Sequence, residues 1–317
     1  MKGNPSIRIG HLKIVDHLIL GLVDRQLKQN EISLAHSNLE INAMNAWDQV
    51  CDGLKEGEIK GAFIPAPIAM DLFASGLDIK LLMFAHRSGS VIVKNQNLDT
   101  NSIIDFKDKT VLVPSELSIQ NMLLHRLFSS AKLTFGDHND TSMDVTREIV
   151  NPFLMNEMLI NDKDNDIAGF AVAEPFGAQA VIDKIAIEVC TSHDLWKDHP
   201  CCVFVLKSSF IEQNHSAVQE IISLFIQAGQ SIEQSKNDKK IVSMAQDFLD
   251  QNPEVIEHAL LKTKISFHPS LLVPDIDALN IIQNYMADSI GVLKNKIDIN
   301  NFVDSSFTLN IIAENRF

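Results

Sequence analysis

The chain has 317 residues, enough for two domains, and a hydrophobic content of 45%, which is ordinary for a globular protein. Its formal net charge of −14 argues against a nucleic-acid partner, which needs a basic face, and against an anionic membrane surface. No run of 18 apolar residues occurs, so we expect no membrane-spanning helix.

The first part of the chain alternates between predicted strands and helices. A strand over residues 6–10 leads into the loop 11–15, and a helix begins at Asp16. Further strands are predicted over residues 39–42, 61–64 and 79–85, and helices over residues 47–55 and 68–75. This alternation is typical of an α/β lobe with a parallel sheet.

The alternation is interrupted at residues 86–90, where we place a crossing into a second lobe. The later strands are predicted over residues 91–93, 110–113, 145–150, 167–173, 185–189 and 201–206. From Ser208 onward the pattern is helical, and we expect this block to cover the first lobe. The predicted first lobe is therefore residues 1–88 and 206–317, the second is 89–205, and the crossings lie near Ser88 and Leu206.

Two segments match each other along the chain. Residues 59–67 and 167–175 share an Ile, a Gly, an apolar centre and a final Pro, and each follows an amphipathic helix and a polar loop. The match predicts two similar lobes with equivalent edges facing one another. The alternative is a coincidence of common α/β patterns.

Several side chains could carry chemistry. Glu174 precedes Pro175 at a strand–helix junction, where it either touches a ligand or metal or acts as a helix-end charge. Trp47 is either core packing or a cleft wall. The lone histidines carry no metal-site spacing, and the adjacent cysteines Cys201 and Cys202 are interpreted as small buried strand residues.

The sequence resembles the NMT1/THI5-like group of type II periplasmic binding proteins, the solute receptors of ABC importers. The nearest branch is similar to the nitrate, bicarbonate and sulfonate receptors. The resemblance rests on residues 9–10, 45–47, 57–62, 169–176 and 195–200. It implies a two-lobed α/β fold with a ligand cleft between the lobes. The chain departs from the branch in its first loop, His11 to Asp16, and at Ser88-Gly89-Ser90.

The resemblance also implies site residues. In that branch the tryptophan matching Trp47 lines the anion pocket, and the residue matching Gln120 donates to the anion. The position before Pro175 is a lysine in nitrate receptors and a calcium-holding glutamate in bicarbonate receptors; here it is Glu174. The expected ligand-binding residues are His11, Lys13, Asp16, Trp47, Pro65, Ser88, Gly89, Glu116, Ser118, Gln120 and Glu174.

A carboxylate at Glu174 would repel a bare anion in a low-dielectric cleft. We therefore expect Glu174 to face a cation, either a metal ion or a cationic group on an organic ligand. Calcium is the metal that the bicarbonate-receptor resemblance implies, and we expect no other cofactor.

Two functions from different classes follow. The first is a receptor without catalytic residues, which closes two lobes around an anion, a sulfonate-like ligand or a small organic compound. Its partners would be an ABC permease and an ATPase. We expect a monomer that is periplasmic or lipid-anchored. Because the first ten residues lack the apolar run of a signal peptide, this location implies that a leader has been removed. The alternative is a cytosolic enzyme on the same fold, similar to pyrimidine-synthesis or menaquinone-pathway enzymes, although the CCCFC signature of the pyrimidine synthases is absent.

Overall fold

The computed structural model describes residues 4–98, 102–137, 140 and 142–315. Within these ranges no helix has the length and apolar character needed to cross a bilayer. The strands are β1 Ser6–Leu12, β2 Asn38–Met44, β3 Gly61–Pro65, β4 Ile79–Phe84, β5 Ser90–Asn95, β6 Lys109–Val113, β7 Phe135–Asp137, β8 Val145–Ile149, β9 Ile167–Ala173, β10 Ala186–Thr191 and β11 Cys202–Lys207.

The α-helices connect and cover these strands. They are α1 Leu18–Lys28, α2 Trp47–Glu56, α3 Ala66–Ala74, α4 Ile119–Ser130, α5 Met155–Asn161, α6 Phe176–Ile182, α7 Ser192–Leu195, α8 Ser208–Gln213, α9 His215–Gln234, α10 Lys239–Leu249, α11 Pro253–Lys262, α12 Ile276–Asn284, α13 Ile299–Phe302 and α14 Ser306–Asn315. A π-helical turn, Tyr285–Ile290, extends α12.

The strands form two sheets of related topology among the described residues. The first sheet has the order β2-β1-β3-β11-β4, and the second has the order β10-β5-β9-β6-β8-β7. In each sheet one strand, β11 or β5, runs antiparallel to its two neighbours, while β1, β2 and β3 are parallel, as are β6, β8 and β9. The predicted α/β fold with two lobes, each built on its own sheet, is confirmed.

The predicted repeat corresponds to equivalent strands. β3 lies between β1 and the antiparallel β11, and β9 lies between β6 and the antiparallel β5. Both strands are almost completely buried, since their sheets are covered on both faces, and this explains their continuous apolar sequences.

The predicted boundary near Leu206 differs from the sheet pairing. β11 pairs with β3 and β4, so it belongs to the first sheet although the predicted division assigned residues up to 205 to the second lobe. The second crossing therefore comes before Cys202. The first crossing lies between β4 and β5, near Ser88 as predicted. A continuous apolar run shows that a strand is buried but not which sheet it joins.

The C-terminal helices pack mainly on the first lobe, with contacts to the second. α9 and α10 pack against α1, α14 packs against β4, and α12 packs against α3. α11 instead contacts α6 of the second lobe. Just after α11, Lys264 Nζ lies 2.7 Å from Oδ1 of Asp194, which lies in α7 of the second lobe. The predicted cover of the first lobe is present, and α11 adds a contact with the second lobe.

A glycine in each copy of the repeat permits the close approach of the antiparallel strand. A Cβ added at Gly61 would lie 2.9 Å from the carbonyl oxygen of Val205 on β11. A Cβ added at Gly169 would lie 2.0 Å from the carbonyl oxygen of Val93 on β5, and Gly169 has a φ of 157°. Neither backbone carbonyl can move without disturbing its sheet.

We therefore expect Gly169→Ala to reduce the free energy of unfolding by about 3 kcal/mol or more, through steric overlap and backbone strain together. The matched control is Gly76→Ala, where φ is +93° but no atom lies within 4 Å of the added Cβ. That control carries only the conformational cost, about 1–2 kcal/mol. Urea denaturation of both variants measures the difference, and equal losses would contradict the steric explanation.

Candidate functional site

A small cavity lies between the two sheets. Its volume is about 10 Å³, which is room for a single water molecule or ion. Residues from both lobes line it: Ile14, Asp16, Trp47, Pro65, Cys201 and Cys202 on one side, and Pro114, Ser118, Gln120, Pro152 and Ala173 on the other.

The topology explains why these residues meet. Pro65 and Ala173 end β3 and β9, the equivalent strands of the two sheets, and Pro114 directly follows β6. In α/β sheets ligands bind outside the carboxyl ends of the parallel strands. Trp47 begins α2 and Ser118 is the N-cap of α4, so two helix N-termini also lie at the cavity, where the helix dipole favours negative charge.

Five of the predicted ligand residues line this cavity: Asp16, Trp47, Pro65, Ser118 and Gln120. The Gln120 side chain is buried, and its Nε2 donates to Ser90 Oγ at 2.8 Å and lies 3.8 Å from Cys201 Sγ. Gln120 therefore connects a helix of the second lobe with the cysteine that precedes β11.

His11 and Lys13 lie elsewhere. They line a separate surface groove of about 390 Å³, bordered by α1 and α10. The His11 ring stacks on Phe248 with the ring centroids 5.0 Å apart, and burial lowers the pKa of His11 to about 4. The prediction that the first loop presents these two side chains to the ligand does not match the geometry, because β1 extends to Leu12 and directs them towards α10.

Ser88, Gly89 and Glu116 are also outside the cavity lining. The Ser88 N–H donates to the His199 carbonyl oxygen at 2.9 Å, and Ser88 Oγ lies 3.2 Å from His193 Nδ1. We call residues 86–89 and 199–201 the hinge, since the two crossing segments pair there. Glu116 is half exposed and binds Arg147 Nη2 at 3.1 Å.

The Glu174 side chain is fully buried and contacts the first turn of α6, the helix that follows it. Its Oε2 accepts the Ala178 N–H at 2.8 Å, while Oε1 has no hydrogen-bond partner among the described residues. Burial, with smaller contributions from Glu188 and Asp16, raises the pKa of this carboxyl to about 8 against the opposing Ala178 N–H bond. Of the two interpretations of Glu174, this geometry favours the helix-end carboxyl.

The Glu174 backbone has a separate role. Its carbonyl oxygen accepts the N–H of Val15, from the loop after β1, at 2.8 Å. This hydrogen bond joins the two lobes directly behind the cavity. The neighbouring Ala173 lines the cavity.

The structure brings together four side chains that sequence reasoning did not group. Asp16, His86, Cys201 and Cys202 are fully buried, and their potential ligand atoms all lie within 4.8 Å of one another. Asp16 was a predicted ligand residue, but the cysteines were interpreted as strand packing. No spacing motif signals the cluster, because its members come from three separate segments.

The contacts in this cluster are close. His86 Nε2 lies 3.0 Å from Asp16 Oδ2, and the sulfur atoms of Cys201 and Cys202 lie 3.8 and 3.7 Å from the same oxygen. Burial alone would lower the pKa of His86, but the adjacent Asp16 carboxylate raises it to about 10. Hydrogen bonds from Cys202 and His86 lower the pKa of Cys201, whereas burial raises that of Cys202.

A wider groove leads to the cavity. It has a volume of about 610 Å³ and shares Trp47, Pro114 and Pro152 with the cavity lining. We call this groove the vestibule. Trp47, only 9% exposed, therefore lies between the vestibule and the cavity. The vestibule also contains Asp48, Asp52, Asp71 and Lys55.

A sequence profile described as the NMT1-like family matches residues 2–246, which is most of the chain. The chain belongs to the NMT1-like family. It is 28% identical over 230 residues to the nitrate/nitrite binding protein NrtA of Nostoc sp. (strain PCC 7120), covering 67% of this chain and 50% of that protein. The chain thus spans about half the length of this curated relative.

Solved structures agree with this assignment at the level of the fold. The ligand-binding component of an ABC-type import system from Staphylococcus aureus, with zinc bound, superposes with a TM-score of 0.81 at 22% identity, covering 97% of this chain and 99% of that one. The periplasmic nitrate-binding protein NrtA from Synechocystis PCC 6803 has a TM-score of 0.80 at 16% identity, with 98% and 89% covered. The predicted family and fold are confirmed.

Calcium is poorly matched to the donors that this NMT1-like protein gathers at the cavity. Calcium takes six to eight oxygen ligands. The buried cluster offers one carboxylate, one imidazole and two thiols, and Glu174 Oε2 is already bonded to the backbone of α6. Calcium at Glu174 stays a prediction.

The raised pKa of Glu174 makes a prediction about stability. Because this pKa is about 8 in the folded protein and ordinarily 4.5, the folded state retains a proton that the unfolded chain loses between these values. The free energy of unfolding should therefore fall by roughly 5 kcal/mol at most as the pH rises from about 4.5 to about 8. Above about pH 8 it should level off.

Glu174→Gln keeps an oxygen to accept the Ala178 N–H but cannot titrate, so we expect its unfolding free energy to fall less over that range. Urea denaturation at successive pH values measures both proteins. Glu116→Gln, which removes a half-exposed carboxylate, is the control and should follow the wild type. Parallel curves for wild type and Glu174→Gln would contradict the assignment.

Proposed function

We propose that this protein is the solute-binding receptor of an ABC importer and holds a small ligand between its two lobes. The observation that carries the proposal is the small cavity between the lobes, lined from both by residues at strand ends and helix N-termini. Ligand sites at such positions are typical of open α/β sheets. Closure of two lobes about hinge strands is a known way to enclose a ligand.

The relatives support the same function. The Nostoc relative is named for binding nitrate and nitrite, and the Staphylococcus aureus structure is the ligand-binding component of an ABC-type importer. An ABC permease and an ATPase are therefore the partners that we propose for this chain. A receptor of this kind works on the outer side of the cytoplasmic membrane, and we propose that location.

The volume of the cavity limits the ligand that fits this arrangement of the lobes. About 10 Å³ admits one ion or water, so a larger ligand requires the lobes to stand further apart. Opening would break the bond between the Val15 N–H and the Glu174 carbonyl, since this bond links the lobes behind the cavity. The Gln120 amide and the Ser118 hydroxyl are the neutral polar groups that a ligand would meet from the second lobe.

The alternative function is an enzyme, and one observation favours it: a thiol, an imidazole and a carboxylate lie together at Cys201, His86 and Asp16. A catalytic triad uses both imidazole nitrogens, one for the nucleophile and one for the carboxylate. Here the carboxylate contacts Nε2, and Nδ1 has no hydrogen-bond partner among the described residues. The arrangement therefore lacks the relay of a triad, and the receptor is the better-supported function.

Ligand binding should stabilise the protein without turnover. At a ligand concentration of 100 times Kd the gain in unfolding free energy is about 2.7 kcal/mol. We expect one class in a panel of nitrate, bicarbonate, an alkanesulfonate, an amine and divalent metals to raise the melting temperature, while mass spectrometry recovers the compound unchanged.

Trp196→Phe leaves Trp47 as the single tryptophan, and the same ligand should then change its fluorescence, because Trp47 lines the cavity. The reciprocal variant, Trp47→Phe, retains Trp196 and should show little change. If every compound leaves the melting temperature unmoved while one of them is consumed, the enzyme is the correct function.

A further inference from the structure

Four buried side chains at the cavity have the composition of a metal site: Asp16, Cys201 and Cys202 line it, and His86 contacts Asp16 beside it. Asp16 comes from the loop after β1, His86 from the first hinge segment, and Cys201 and Cys202 from the second hinge segment and the start of β11. Zinc is bound in proteins by cysteine sulfur, histidine nitrogen and carboxylate oxygen, usually four in a tetrahedron. Thiolates select zinc and similarly soft metals over calcium and magnesium.

Two of the three donor distances match such a tetrahedron, and the third is shorter. Zinc–ligand bonds of about 2.0–2.3 Å place neighbouring donors about 3.3–3.8 Å apart. The Asp16 Oδ2 to sulfur distances are 3.8 and 3.7 Å, and the His86 Nε2 to Asp16 Oδ2 distance is 3.0 Å. All four donors lie within 4.8 Å of one another, so small side-chain rotations bring them onto one ion.

The hydrogen bonding of the cluster is incomplete without an additional group. Asp16 Oδ1 and His86 Nδ1 are buried and have no hydrogen-bond partner among the described residues. His86 Nε2 faces both the Cys202 N–H, at 3.2 Å, and the Asp16 carboxylate. Protonated or not, Nε2 can satisfy only one of these neighbours. Buried polar groups without partners destabilise a fold, and each calls for an explanation.

We propose that Asp16, His86, Cys201 and Cys202 bind a thiophilic divalent cation, with Zn²⁺ the best match. The cation takes the Nε2 lone pair of neutral His86 and neutralises the carboxylate and the thiolates, which relieves the conflict between Nε2 and the Asp16 carboxylate. The site itself is independent of the importer assignment. That the cation is the transported solute rests on the proposed function.

The surroundings favour a cation that arrives from solvent. The vestibule contains three aspartates, Asp48, Asp52 and Asp71, and one lysine, Lys55. An acidic cleft raises the local concentration of cations and speeds their association. Trp47 lies between the vestibule and the cluster, and the cavity has room for one ion.

The test uses the full chain, reduced and stripped of metal by a chelator, and titrated with Zn²⁺ and with Co²⁺. We expect one equivalent of Zn²⁺ to bind, measured by calorimetry and native mass spectrometry. Co²⁺ should give the visible bands of a tetrahedral ion and the ultraviolet band of thiolate coordination. Calcium should neither bind with comparable affinity nor displace Zn²⁺.

Cys202→Ser and Asp16→Asn remove one donor each with little change in volume. Each should weaken Zn²⁺ binding by at least about 100-fold, since loss of even an outer hydrogen-bond partner of a ligand costs 10–100-fold. The matched control is Cys190→Ser, which changes a half-buried cysteine outside both the cluster and the vestibule lining and should bind as the wild type does. Circular dichroism identifies a variant that fails to fold. If one donor variant does so, the Zn²⁺ affinity of the other donor variant tests the site.

Two results would overturn the site: no stoichiometric Zn²⁺ binding by the wild type, or equal losses of affinity in the cluster and control variants. The proposed function is tested separately by small-angle scattering with and without ligand. Zn²⁺ binding that leaves the scattering profile unchanged supports the metal site and contradicts its role as the transported solute. Compaction by an anion without Zn²⁺ binding supports the receptor and overturns the site.

Discussion

The pairing of the two crossing segments is the constraint on which the rest of the structure depends. Each sheet takes its antiparallel strand from the chain that has just crossed, β5 after the first lobe and β11 after the second. The crossings must therefore run side by side in opposite directions, and Arg87 pairs with Pro200 in an antiparallel bridge. This exchange places His86 next to Cys202, directly under the ends of both sheets. The pairing of the crossings therefore forms the hinge and also brings His86 to Cys202 in the polar cluster.

The polar groups at the hinge and beside it are held by the hydrophobic core around them. β3 is apolar throughout, and β4 and β11 are apolar apart from Lys80 and Lys207. Their buried residues belong to one core, and the hinge residues His86 and His199 are fully buried beside it. In that environment a carboxyl group retains its proton more readily, and Glu174 shows the effect in its raised pKa. An ionised group there needs a partner, because an unpaired buried charge is strongly unfavourable. Each ionisable group of the cluster, and the Glu174 carboxyl, therefore needs a hydrogen-bond partner, a bound proton or a bound ion.

The sequence predicts the strands, the repeat and half of the cavity lining. Buried strands of a parallel sheet are continuous apolar runs. The close approach of an antiparallel strand at Gly61 and Gly169 is seen only in the structure. Trp47 and Gln120 could be predicted because a resemblance supplied their roles. The sheet joined by β11 could not, since an apolar run is compatible with either lobe. The cysteine cluster could not either, because its members become neighbours only when the crossings pair. The direction of His11 depends on the packing of α10, which no local pattern encodes.

The position of the cluster would couple the proposed ligand binding to closure of the lobes. The loop that carries Asp16 also carries Val15, whose N–H bonds to the Glu174 carbonyl across the cleft. Cys201 lies 3.8 Å from the Gln120 amide of the second lobe. A group that fixes Asp16 and Cys201 relative to one another therefore also fixes two of the contacts between the lobes. A ligand shifts an equilibrium only by its differential affinity for the two states. Val15 lies next to Asp16, and Cys201 itself contacts Gln120, so the proposed ligand donors and the bonds between the lobes lie on the same short segments. A ligand held by these donors would therefore bind more tightly when the lobes are together, and its binding would stabilise closure.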